Sequence, residues 1–341
     1  MDKQIEKAQK HRAPNNRTLT LTEDERAKLR PRLLKLSAAS GVGSEAASDD
    51  SSGKKASSAF TVADITDRTI CADLMNVLPL LPEKFADLLI IDPPYNLTKQ
   101  FGGVSFTKTD DESYYAYLES WFKPLLRVLK DDGSVYLCGD WQNSALLYRI
   151  MKESGLIVQN RITWQREKGR GAMHNWKNSC EDIWFGTKGD DYYFDVDSVK
   201  QKRQVIAPYR ENGKPKDWEE TDDGKFRLTF PGNFWDDISI PYWSMPENTD
   251  HPTQKSEKLI AKLILASCPK GGVVFDPFLG SGTTSVTAKK LGRHWCGVEL
   301  NEEYCLWAEK RLELADSDAS IQGYTDGVFW ERNTARFQKK E

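Results

Sequence analysis

Asp87-Leu88-Leu89-Ile90-Ile91-Asp92-Pro93-Pro94-Tyr95-Asn96 is the stretch whose reading decides the fold. Its first five positions form a short apolar run without helical caps, which predicts a strand buried on both faces. Asp92 to Asn96 then stand at the carboxyl end of a central strand, where open α/β sheets bind their ligands. The prolines fix φ and remove backbone donors, leaving the Pro93 carbonyl to accept a hydrogen bond from outside the chain. Asp92 supplies a second acceptor, and Tyr95 a flat face on which a base lifted from its duplex can stack. An exocyclic amine on a nucleobase is a donor that suits both acceptors, and its methylation is the chemistry suggested. Alone, the same residues describe a strand end, a proline turn and a buried tyrosine about as well.

A second motif, Gly271-Gly272-Val273-Val274-Phe275-Asp276-Pro277-Phe278-Leu279-Gly280-Ser281-Gly282-Thr283-Thr284, decides between them. An apolar strand ends in an acid, and a loop with two glycines opens into a helix over Thr283–Leu291, the arrangement that lets a backbone approach a ligand at a helix N-terminus. The G-x-G-x-x-G pattern is incomplete, with Ser285 in the third place, and no lysine follows, which argues against a phosphate-gripping loop. An acid within the loop favours a ligand carrying a positive group, such as the amino group of a methionine moiety. The next strand, His294 to Glu299, ends in a carboxylate about twenty residues after the loop, the place from which an acid grips ribose hydroxyls. Together these predict a nucleoside site with S-adenosyl-L-methionine (AdoMet) as its occupant.

In chain order, Asp92-Pro93-Pro94-Tyr95, His251-Pro252-Thr253-Gln254-Lys255 and Asp276 to Thr284 resemble the β-class of DNA amino-methyltransferases, over residues 60 to 315. Three motifs in the family's order are far more specific than any one. The resemblance implies a Rossmann-like α/β methyltransferase fold, a mostly parallel seven-stranded sheet with helices on both faces, plus a target-recognition insertion. It implies catalysis by Asp92, Pro93, Pro94 and Tyr95. AdoMet is expected against Asp276, Pro277, Phe278, Gly280, Ser281, Gly282 and Thr283 of the loop, against Glu299 and Leu300, and against Thr253 and Lys255 at its methionine end. Asp73 matches the acid that binds the adenine amine in the family, while the sequence reads equally well as a helix N-cap. A proline commonly follows the lysine in the family; Ser256 stands there instead and can cap the helix Glu257–Cys268. Asp at position 92 is commoner in adenine than in cytosine enzymes, so N6 of adenine is expected, with N4 of cytosine and RNA or protein amines as alternatives. Neither a metal nor a covalent nucleophile is required.

With 341 residues, 39% hydrophobic, 29% charged and a formal net charge of −3, the chain describes one large globular domain or two small ones. No long apolar run or signal peptide is present, so a cytoplasmic protein without a membrane partner is expected. The six cysteines lack metal-ligand spacing and read as reduced core residues. A slightly acidic total requires that any DNA contact be local. One candidate is Gln165 to Lys177, whose Arg166, Lys168, Arg170 and Lys177 are interleaved with glycine and aromatics. Another is the interval 190–250, where strand-helix alternation is lost and Lys202 and Arg203 stand among many aromatics. Double-stranded DNA is the partner implied; a homodimer and a cognate restriction endonuclease are left open.

The expected organisation is a helix and flexible linker over 1–58, with Thr22 as N-cap and Glu25 three places on. The catalytic half follows over 59–189, with 97–111 as a loop over the site, a helix over Tyr114–Leu129, and an antiparallel edge pair Ile157–Trp164 and Ile183–Thr187. The recognition insertion spans 190–250, the cofactor half 251–315 and a polar tail 316–341.

Overall fold

The computed structural model describes residues 14–36, 60–101, 104–166, 173–205, 209–221 and 224–331. Its centre is an eight-stranded sheet, one more strand than the seven expected. Across the sheet the order is Arg68–Cys71, His294–Glu299, Val273–Asp276, Ala86–Ile91, Leu129–Asp140, Cys180–Thr187, Ile157–Gln165 and Phe234–Trp235. The last is a two-residue strand that pairs in parallel with Ile157–Gln165 and extends the expected edge. Cys180–Thr187 alone runs antiparallel to both of its neighbours.

Strand Ala86–Ile91 lies between Val273–Asp276 and Leu129–Asp140, so the two motifs that carry the argument are on adjacent strands, with Val274 opposite Leu88 and Phe275 opposite Leu89. The period-two side-chain alternation of a strand explains its uniformly apolar sequence. Leu89 and Ile91 face one core, packed with the helix Asp111–Leu125 and with Leu147, Ile150 and Met151 of the helix Ser144–Glu153. Leu88 and Ile90 face the other, made with Leu259, Ile260, Leu263 and Ile264 of the helix Glu257–Ser267. Each fully buried side chain contributes roughly 1.5–3 kcal/mol.

Three local readings need correction. The helix expected from Tyr114 begins at Asp111, because Asp110 accepts from the Ser113 amide as its N-cap, and it ends at Leu125. The loop after Asn96 contains two short antiparallel strands, Lys99–Phe101 and Val104–Phe106. Residues beyond Asp316 are not simply a tail: Tyr324–Thr325 and Val328–Trp330 join a five-stranded sheet with Gln201–Gln204, Glu219–Thr221 and Gly224–Thr229. The cause is apolar burial, since Ile321, Phe329 and Trp330 are all buried.

The N-terminal helix Glu23–Leu29 has the expected capping box, with the Thr22 amide 2.9 Å from Glu25 and the Glu25 amide 3.3 Å from the Thr22 hydroxyl. It packs on this domain: Leu29 and Leu33 share a core with Leu306 and Trp307 of the helix Glu302–Leu314. The linker expected around 38–58 lies outside the described residues. Among the described residues no helix is long and apolar enough to cross a membrane.

Candidate active site

Asp92 leaves its strand at the carboxyl edge of the sheet with both oxygens engaged. Oδ1 accepts from the Tyr95 hydroxyl at 2.8 Å, and Oδ2 from the Lys255 ammonium at 2.8 Å. Lys255 also lies 3.2 Å from the Tyr95 oxygen and 3.1 Å from Glu181 Oε2, and Arg166 donates to Glu181 Oε1 at 2.9 Å. Lys255, assigned from sequence to the methionine end of the cofactor, thus has its charge on the Asp92 carboxylate. Burial alone would push the Lys255 ammonium toward losing its proton, but the carboxylates of Asp92 and Glu181 outweigh it and hold the proton above its ordinary range. The Tyr95 hydroxyl is raised by burial and then by the same two acids, so it donates a hydrogen bond and does not ionise. Tyr95 is therefore oriented by its polar end, with Lys255 5.4 Å from its ring centroid. The Pro94 carbonyl accepts from Tyr114 at 3.1 Å, while that of Pro93 has no hydrogen-bond partner among the described residues.

The second wall is the glycine loop. Gly280 and Gly282 have φ of +55° and +82°, conformations that side chains rarely adopt. His251 packs on the first, with its Nε2 3.0 Å from where a Cβ would stand, and its ring meets Tyr304 edge-on. Asp276 accepts from the Phe278 amide at 2.9 Å and from Thr284 at 2.6 Å. Burial nevertheless lifts its carboxyl to about 7. Glu299, also raised by burial, accepts from the amides of Gly280 at 2.9 Å and Asn301 at 2.7 Å. Thr283 donates to the Lys255 carbonyl at 3.1 Å, tying this loop to the His-Pro-Thr-Gln-Lys motif. Asp73 caps its helix, accepting from the Met75 amide at 2.7 Å.

Both walls open on one cavity of about 630 Å³. Asp92, Pro93, Pro94 and Tyr95 line it together with Asp73, Thr253, Lys255, Asp276, Pro277, Phe278, Gly280, Ser281, Thr283, Glu299 and Leu300. Gly282 stands just behind, as N-cap of the helix Thr283–Lys290. Its volume is within the usual range for small-molecule sites. The lining carries five carboxylates (Asp73, Asp92, Glu181, Asp276, Glu299) against two cations (Arg166, Lys255). A cationic nucleoside such as AdoMet fits this excess, and its arrival would relieve the buried acids.

Two contributors were missed in the sequence. Glu181 reaches the carboxyl edge because its strand is antiparallel, so its first residues lie where its neighbours end; the acid pair Glu181-Asp182 opening an apolar strand was the available signal. Arg311, buried on the helix Glu302–Leu314, donates to the Ser281 carbonyl and Thr283 hydroxyl and pairs with Glu257 at 2.9 Å, so it braces the glycine loop from behind.

The cationic candidates do not share one environment. Arg166 lines the cavity on Glu181, and Lys177 is half-buried beside the exposed Trp176. Lys202 lies over the rings of Phe226 and Trp330 at 5.3 and 4.8 Å, and Arg203 pairs with Glu331 at 3.4 Å. Lys168 and Arg170 lie outside the described residues.

A mostly parallel sheet flanked by helices, with a nucleoside-sized cleft across the ends of adjacent strands, defines a Rossmann-like methyltransferase. The chain belongs to the DNA methylase family, whose model matches residues 86–310. It is 32% identical over 251 residues to the type II methyltransferase M.HpaI of Haemophilus parainfluenzae, covering 72% of this chain and 74% of that one. It is 31% identical over 253 residues to the DNA adenine methyltransferase YhdJ of Escherichia coli (strain K12), covering 72% and 82%. In fold it is similar to the PvuII DNA methyltransferase (cytosine-N4-specific), with a TM-score of 0.55 at 19% identity over 72% of this chain and 85% of that one. Within this family, whose members use AdoMet as methyl donor, the chain is a DNA methyltransferase of the N6/N4 kind.

Proposed function

We propose that the chain methylates the N6 amine of adenine within a specific double-stranded DNA sequence. The observation that carries this reading is the meeting of Asp92, with its tyrosine and lysine, and the glycine loop in one cavity. Aspartate at the head of the Asp-Pro-Pro-Tyr motif favours adenine, and a relative named as a DNA adenine methyltransferase supports it. The type II naming of another relative favours a restriction-modification setting.

AdoMet supplies a sulfonium methyl that carries its own leaving group, so the protein's task is to place and polarise the amine. Asp92 and the Pro93 carbonyl accept hydrogen bonds from the two N–H groups of the amine, which draws the nitrogen lone pair out of conjugation with the ring. With AdoMet bound, the nitrogen–carbon bond would form as the sulfur–carbon bond breaks and leaves its electron pair on sulfur, and the methylated nitrogen would then pass one proton to Asp92 and on to solvent. Tyr95 steadies the extruded base against the wall. Asp276 and Glu299 would hold the donor, and Gly280 and Gly282 would let the loop backbone come close to it. From the sequence, Arg166, Lys168, Arg170 and Lys177 are assigned to the DNA backbone, and Lys202 and Arg203 to the target sequence.

Digesting methylated DNA to nucleosides and separating them by mass tests the base: N6-methyldeoxyadenosine is expected, and N4-methyldeoxycytidine overturns the assignment. Asp92→Ala is expected to abolish transfer with AdoMet affinity nearly unchanged, and full activity in that variant refutes the mechanism.

A further inference from the structure

We propose that Glu181 is a positioning residue for methyl transfer: by sharing Lys255 with Asp92, it keeps Asp92 able to bind the target amine. The inference rests on the amine-methylation reading above. Lys255 is 7% exposed and stands 2.8 Å from Asp92 and 3.1 Å from Glu181. One ammonium between two carboxylates quenches each only in part. Without Glu181 its whole charge falls on Asp92, which then becomes a weaker acceptor for the neutral amine.

Tyr95 adds a second strand to the argument. Its hydroxyl has one proton and two carboxylates within reach, Asp92 at 2.8 Å and Glu181 at 3.3 Å, with Lys255 donating to its oxygen at 3.2 Å. Glu181 thus touches both groups that touch Asp92. Its other oxygen is fixed by Arg166, so its rotamer does not depend on Lys255. Asp92 and Glu181 against Lys255 and Arg166 balance formally, and removing Glu181 leaves Asp92 the one acid facing both cations. Glu181 is 4% exposed by side chain, and its part in the reaction runs through Lys255 and Tyr95.

The test is single-turnover methylation at saturating DNA and AdoMet for the full chain, Glu181→Gln, Lys255→Met, the double variant and Asp92→Ala, with AdoMet affinity and thermal midpoint measured alongside. Glu181→Gln is expected to slow transfer about 10- to 100-fold while AdoMet affinity moves less than about threefold. Because the two residues act as a unit, the double variant is expected to be no slower than the slower single variant. A wild-type rate in Glu181→Gln, or rate losses that multiply in the double variant, overturns the proposal. If Glu181→Gln does not fold, the charge-balanced double variant decides: a rate equal to that of Lys255→Met upholds it, and a further tenfold loss overturns it. Activity retained in Asp92→Ala would instead sink the underlying amine-methylation reading.

Discussion

Asp276 shows how a buried acid is kept for a cation. Burial raises its carboxyl from an ordinary 3.8 to about 7 in spite of hydrogen bonds from Thr284 and the Phe278 amide. The folded chain holds this proton more tightly than the unfolded chain, so ionising Asp276 costs stability as pH climbs from about 4 to about 7. A bound cation reverses that cost and pulls the carboxyl back down. AdoMet affinity is therefore expected to fall about tenfold between pH 8 and pH 6, with protons released on binding near pH 7. Calorimetric titration in buffers of different ionisation enthalpy measures both, and Asp276→Asn is expected to flatten the dependence. At this scale the sequence revealed the acids that end parallel strands, Asp92, Asp276 and Glu299, because a strand's last residue has a known place in such a sheet. It hid Glu181, whose place depends on the direction of one strand. The pairing of Lys255 with Asp92 and Glu181 was not legible either, because which carboxylate a long side chain meets is settled by tertiary packing.

The glycine loop and its two helices form the element proposed to hold the donor. A Cβ on Gly282 would stand 2.4 Å from the Ala308 Cβ and 2.8 Å from its Cα, at a φ of +82°. Gly282→Ala is expected to cost about 2–4 kcal/mol and to abolish AdoMet binding, checked by chemical denaturation and equilibrium binding. Arg311→Met leaves the Ser281 carbonyl without its donor and Glu257 with Lys290 as its remaining ion-pair partner at 2.7 Å. A loss of about 3 kcal/mol is expected by the same denaturation measurement. Caps made two helices legible: Thr22 and Ser256 each accept from a backbone amide at the expected start. The short strands of the insertion were not legible, because runs of two to six half-exposed residues leave no periodicity to read.

Across the whole molecule, the second sheet is joined to the first by the helix Glu257–Ser267, and the joint contains an unusual cation. Lys262 is 2% exposed, its Nζ has no hydrogen-bond partner among the described residues, and it lies 4.3 Å from the Trp235 ring centroid and 5.7 Å from that of Phe329. Burial lowers its ammonium to about 8, with Asp237 offsetting part of the effect. The unfolded chain keeps this proton up to about 10.5, so below pH 8 folding must carry a desolvated charge, and the penalty fades as pH rises between those values. Lys262→Met is expected to raise stability by about 1–3 kcal/mol at pH 7, with the gain shrinking toward pH 10, as read from thermal midpoints. Sequence analysis bounded the insertion at residue 250 because composition changes there, whereas pairing between Phe329 and Gln201 and between Trp330 and Lys202 ignores sequence distance. Anyone transplanting specificity between related enzymes inherits that stitch. A cassette cut at 190 and 250 moves three of the five strands and strands the other two in the host, so a working chimera must carry 321–331 along with it.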